Sequence, residues 1–171
     1  MRRLFSSEGG ATLALGAALI AAAAAVAQPV ATPPDRSQDM AWMTAQQAAL
    51  AERAATGEWQ SLEGGLLWRR VAGDGSGAHP KPTDVVTVHY TGTFVDGGVF
   101  DSSEGGDPVT FPLARLIPAW TMAIPQMGVG DTIEIAAPAS LAYGVKGKGP
   151  IPGGATLLFT VRLIDIRESG A

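Results

Sequence analysis

Cysteine is absent from this 171-residue chain. That excludes disulfides, thiolate metal sites and a cysteine nucleophile. Histidine is scarce: His79 and His89 are the only two, and with no third nearby they do not make a histidine metal site. Charge is thin as well. Only 16% of residues are charged, 12 Lys+Arg stand against 16 Asp+Glu, and the formal net charge is −4. With no basic surplus and no basic run, nucleic acid is not an expected partner. Hydrophobic residues reach 46%, too many for a disordered chain, although an alanine-rich N-terminus supplies part of that excess. The length allows one domain comfortably, and no internal repeat is visible.

Residues 1–27 have the pattern of a secretory signal peptide. Arg2 and Arg3 form a positive start, Ala11 to Ala27 is uncharged and mostly apolar, and Ala25-Val26-Ala27 offers a cleavage site before Gln28. The alternative, a retained N-terminal anchor, is weaker. The apolar stretch has 17 residues, many of them alanine, against the roughly 20 that a span needs. Cleavage removes Arg2, Arg3 and Glu8, leaving 10 basic and 15 acidic residues and a mature charge of −5. The expected location is outside the cytoplasm: the periplasm first, with secretion or N-terminal anchoring as alternatives, and no membrane span after cleavage.

The mature chain divides by composition. Residues 28–39 (QPVATPPDRSQD) are a polar, proline-rich linker. Residues 40–64 hold a helix and a connector. The helix spans Met40 to Thr56, with Ser37 or Asp39 as its cap and Gly57 as its end. Its apolar stripe (Trp42, Met43, Ala49, Leu50) is thin, which suits a single helix lying on the domain. From residue 65 to 171 the pattern turns to period two. Strands are expected at Leu66–Val71, Val85–Thr93, Val99–Phe100, around Ile133 and Ile135, and at Ala155–Ile166. Asp96-Gly97-Gly98 marks a hairpin turn. One short helix fits between Ile117 and Met127, with Pro118 confined to its start and Pro125 limiting its end. Four or five antiparallel strands against one short helix make an α+β domain.

The pattern sends Tyr90, Phe100, Phe111, Ile117, Trp120, Tyr143, Ile151 and Phe159 toward that helix. Each is also an ordinary core residue. Their surroundings are less ordinary: Phe100 leads into Asp101-Ser102-Ser103, and Tyr143 sits in a loop rich in Gly and Pro. The segments V-H-Y-T-G (88–92), D-G-G-V-F-D-S-S (96–103), F-P-L-A-R-L-I-P-A-W (111–120), M-G-V-G-D (127–131), L-A-Y-G (141–144) and P-I-P-G-G-A-T-L-L-F-T-V (150–161) resemble the FKBP-type peptidyl-prolyl isomerase family. They occur in its order and spacing from about Leu66 to Ile166.

The resemblance implies a half-wrapped antiparallel β-sheet around one short α-helix, with a shallow apolar pocket between them. Trp120 would be the pocket floor, Tyr90, Phe100 and Phe159 its aromatic walls, and Leu116 and Ile117 one side. Phe111 belongs to the same apolar lining. The Ile117 backbone N–H and the Tyr143 hydroxyl would bind substrate backbone, Asp101 would sit at the pocket edge, and Ile151 would belong to a flexible loop over the mouth. The implied activity is cis-trans isomerisation of X-Pro bonds, without cofactor or metal, in unfolded or nascent exported proteins. Macrolide inhibitors are the other implied ligands. Three positions depart from the family pattern. Val109 stands where an aromatic is frequent, which opens that wall. Ala119 replaces a frequent glycine beside Trp120. Gly153 replaces a frequent proline and should loosen the covering loop.

Other chemistries lack their parts. Ser102 and Ser103 lie in no G-x-S-x-G elbow, and Asp101 is the single carboxylate in the candidate pocket, whereas glycoside hydrolysis needs two. The alternative to an isomerase is an exported chaperone or a non-catalytic peptide-binding module on the same fold.

Overall fold

The structure is a computed structural model that describes Arg36 and residues 39–168. The leader expected over 1–27, the linker up to Asp35 and the capping candidate Ser37 lie outside those residues. The first element, α1, is Met40–Ala55. Asp39 caps it, its carboxylate accepting from the Trp42 N–H at 2.8 Å, and Gly57 ends the run in the left-handed region (φ 74°).

Seven strands follow: β1 (Gln60–Ser61), β2 (Leu67–Ala72), β3 (Val85–Phe94), β4 (Val99–Ser102), β5 (Val109–Pro112), β6 (Thr132–Ala137) and β7 (Leu157–Arg167). They form one antiparallel sheet in the order β1-β2-β6-β7-β3-β4, and β5 also pairs with β3. Both β4 and β5 therefore share one edge of β3, at Thr91–Thr93 and Val85–Val88 respectively, while β7 runs along the other. The sequence pattern suggests four or five strands; β1 and β5 are the additions. β1 makes the stretch after α1 part of the sheet, through Gln60 opposite Trp68 and Ser61 opposite Leu67.

Alternation sets the inner face. Val86, Val88 and Tyr90 on β3, Ile133 and Ile135 on β6, and Leu157, Phe159, Val161 and Leu163 on β7 are all buried. The short helix α2, Pro118–Ala123, lies against them and buries Ala119, Trp120 and Ala123. Pro118 occupies its first turn, where a missing N–H costs nothing. Pro125 falls in the tighter turn Ile124–Gln126 that closes it.

α1 docks on the rest through polar as well as apolar contacts. Gln46 is buried on an otherwise mostly exposed helix. Its side-chain oxygen accepts from the Thr156 N–H at 3.0 Å, and its backbone carbonyl accepts from the Thr156 hydroxyl at 3.1 Å.

Candidate active site

The inner face of the sheet gathers its rings around Trp120, whose side chain is completely covered. Tyr90 meets the indole at 5.4 Å and 80°, Phe159 at 5.5 Å and 87°, and Phe111 at 6.2 Å and 83°. These are edge-to-face arrangements, which bring the positive ring edge onto a negative face. The row continues outward: Phe100 lies 5.8 Å from Phe159, and Phe94 lies 5.1 Å from Phe100. Phe100 reaches this place because Gly92 has no side chain. A Cβ there would stand 2.5 Å from the Phe100 ring. The Trp120 indole N–H is buried and, among the described residues, meets no acceptor.

Polar groups stand at one edge of this box. The Tyr90 phenol donates to Asp101 at 2.8 Å, and both residues are buried. The β3–β4 pairing holds them there, because Ser103 donates its N–H to the Tyr90 carbonyl while its hydroxyl accepts from the Tyr90 N–H, both at 2.9 Å. Burial first, and then the bond to Asp101, push the Tyr90 phenol well above its ordinary range. Burial, followed by the charge of Asp101, also pushes the Tyr143 phenol up to about 12. The Tyr143 hydroxyl therefore keeps its proton well into the alkaline range. Lys148, which sequence reasoning did not single out, places its ammonium 5.7 Å from the Tyr143 ring centre.

Ile117 precedes α2 in extended conformation, and its carbonyl accepts from the Trp120 and Thr121 N–H groups. Its own N–H donates to no backbone carbonyl among the described residues. Leu116 and Ile117 are each 8% exposed.

All eleven residues singled out in the sequence come together here. Tyr90, Phe111, Leu116, Ile117, Trp120, Ile151 and Phe159 are members of one buried cluster, and Phe100, Val109 and Tyr143 pack against it. Asp101 joins through Tyr90.

The loop expected to cover the mouth is tied down. Ile151 is only 1% exposed and exchanges two 2.9 Å backbone bonds with Lys148, while the Gly154 N–H donates to the Gly144 carbonyl. At Gly153 a Cβ would stand 2.0 Å from the Val145 carbonyl oxygen, so glycine permits close packing there. Among the described residues no group of three His, Asp, Glu or Cys is placed to hold a metal.

Comparison with known proteins agrees with this geometry. The profile described as FKBP-type peptidyl-prolyl cis-trans isomerase matches residues 76–164. The FKBP-type peptidyl-prolyl cis-trans isomerase FkpA of Aeromonas hydrophila is 46% identical over 123 residues, which is 71% of this chain and 46% of that protein. The FKBP-type 22 kDa peptidyl-prolyl cis-trans isomerase of Escherichia coli is 46% identical over 119 residues, 68% of this chain and 57% of that one. Among solved structures, a peptidyl-prolyl cis-trans isomerase from Pseudomonas syringae superposes with a TM-score of 0.69 at 30% identity, covering 75% of this chain and 95% of its own. This chain belongs to the FKBP-type peptidyl-prolyl cis-trans isomerase family. It spans about half the length of the curated relatives it matches.

Proposed function

We propose that the chain is a peptidyl-prolyl cis-trans isomerase acting on X-Pro bonds of exported, unfolded or nascent polypeptides. One observation carries the reading. A buried indole is boxed by three orthogonal rings, with a carboxylate-bound phenol and a second, neutral phenol at the edge.

Rotation about a peptide C–N bond meets a barrier of about 18–20 kcal/mol, because twisting destroys amide resonance. For X-Pro the end states differ by only about 0.5–1 kcal/mol, so the problem is one of rate. The planar amide is more charge-separated than the twisted one. An apolar aromatic surface that removes water from the bond favours the twisted form. The Tyr143 hydroxyl and the Ile117 N–H are the donors that hold substrate backbone while the bond turns. The proline ring is placed at the accessible edge of the box, beside the half-buried Phe100 and Tyr143 and over the covered Trp120, Tyr90 and Phe159, and Asp101 acts by holding Tyr90 and polarising the edge. No covalent step is required.

Exchange of a Leu-Pro tetrapeptide with the purified protein tests this. Acceleration that falls in Phe100→Ala and Tyr143→Phe is expected. No acceleration by folded wild type overturns it in favour of a peptide-binding module or chaperone. Macrolide inhibitors belong to the same reading and are tested as inhibitors of that exchange. Export is part of it too. Residues 1–27 have a leader pattern, and a relative 44% identical over 110 residues is named outer membrane protein MIP, from Legionella longbeachae. Among the described residues no helix is long and apolar enough to cross a membrane. Sequencing the N-terminus of the exported protein tests cleavage before Gln28.

A further inference from the structure

An open groove of about 270 Å³ lies beside the pocket, between the first turns of α1 and the end of β3. Trp42 and Ala45 of α1, Phe94 and Val95 at the end of β3, and Pro150 and Pro152 line it. Three features distinguish it from a chance surface depression.

Its wall is fixed. The paired bonds from Thr156 to Gln46 hold α1 in place, and the Trp42 ring lies 3.7 Å from where a Gly154 Cβ would stand. It is continuous with the aromatic box. Phe94 reaches Phe100 at 5.1 Å, Phe100 reaches Phe159 at 5.8 Å, and Phe159 reaches Trp120 at 5.5 Å. Groove and box also share a loop: Ile151 goes into the core while its neighbours Pro150 and Pro152 line the groove. Finally, its rim charges are already engaged. Arg36 pairs with Asp39 at 3.5 Å and covers Trp42 at 5.5 Å, and the Asp96 carboxylate accepts from the Gly98 N–H at 2.9 Å. What the groove offers an occupant is apolar surface.

We infer that this groove is a second subsite for the polypeptide whose proline occupies the box, and that it takes an apolar side chain of that same substrate. The inference rests on the isomerase reading and narrows its substrates. Laid end to end, the three ring-to-ring steps span at most about five residues of extended chain. The class of substrate is thus an unfolded segment with a large apolar residue within about five positions of its X-Pro bond. Short proline peptides engage the box alone.

The test compares two peptide series around one Leu-Pro core, extended toward the N-terminus or the C-terminus. In each, Leu or Ser is placed at successive positions up to about five residues out. In wild type one series should show a Leu:Ser ratio in kcat/KM of about tenfold, equivalent to about 1.4 kcal/mol. That ratio should fall to near one in Trp42→Ala, which removes a wall, and in Ala45→Trp, which fills the groove while keeping Trp42 and Gln46. Ratios near one in both wild-type series, or a ratio unchanged in both variants, overturn the inference. So does a flat ratio accompanied by a dimer in sedimentation that Ala45→Trp disperses, which assigns the groove to a second copy of the chain. The isomerase reading fails separately, on the core tetrapeptide. The Leu:Ser ratio read as affinity decides the groove even when no peptide is accelerated.

Discussion

The Tyr90 hydroxyl and the Asp101 carboxylate are joined at 2.8 Å in a place where neither is more than 8% exposed. A buried carboxylate that loses a donor bears much of its desolvation cost. Tyr90→Phe should therefore lower stability by about 1–3 kcal/mol, as read from urea unfolding. Exchange of a Leu-Pro peptide should slow with it, because the carboxylate at the pocket edge is no longer held.

Tyr143 yields a prediction in pH. Its phenol is pushed from 10.0 up to about 12, and that of Tyr90 is raised further. The unfolded chain sheds these protons near pH 10 while the native chain keeps them. The stability they contribute is fully present below pH 10 and is lost as pH rises toward and through the folded values. Urea midpoints should decline above pH 10, and less steeply in Tyr143→Phe than in wild type. At neutral pH the same variant should stay folded and lose about five- to tenfold in kcat/KM, the size of one hydrogen bond.

Gly153 packs against backbone. Restoring a side chain there, in Gly153→Ala or Gly153→Pro, drives a Cβ into the Val145 carbonyl oxygen, which as backbone cannot swing aside. Both variants should be less stable, by about 1–3 kcal/mol, and both should exchange the amides of Ile151 and Gly154 faster with deuterium. A more stable proline variant would contradict this.

Gln46→Ala leaves the buried Thr156 N–H without its acceptor. The expected cost is about 1–3 kcal/mol, with loss of hydrogen-exchange protection at Thr156. The effect bears on truncation too. Removing residues 40–64 takes away this clasp, the β1 pairing and the packing of Leu62, and should destabilise what remains.

Much of the fold was legible because it rests on long periodic runs and fixed punctuation. Val86, Val88 and Tyr90 alternate without interruption, and Pro118 and Pro125 bracket α2 by removing donors. The shorter pieces carried no such signal. Val109–Pro112 is four residues ending in proline and is a strand only because β3 has a free edge there. Gln60–Ser61 is two exposed polar residues. The site residues were legible as inward-facing rings, and the resemblance gathered them. What was hidden depends on three-dimensional proximity. A glutamine on a helix gives no sign that it is buried, and Trp59 gives none that Arg53 and Arg69 stack on it at 5.7 and 5.1 Å. The sequence around Gly153 likewise gives no sign that Val145 packs against it, because close approach is a property of a residue's neighbours.

The clasp between Gln46 and Thr156 joins residues 110 apart in the chain, and this has a consequence for the order of folding. α1 is among the first described segments to leave the ribosome, and its polar anchor is among the last. The helix draws most of its stability from packing rather than from propensity, and although it touches β2 its buried polar anchor is missing until the loop before β7 has been made. The clasp is a late event, and until it closes the groove beside Trp42 is open to any unfolded chain nearby, including its own.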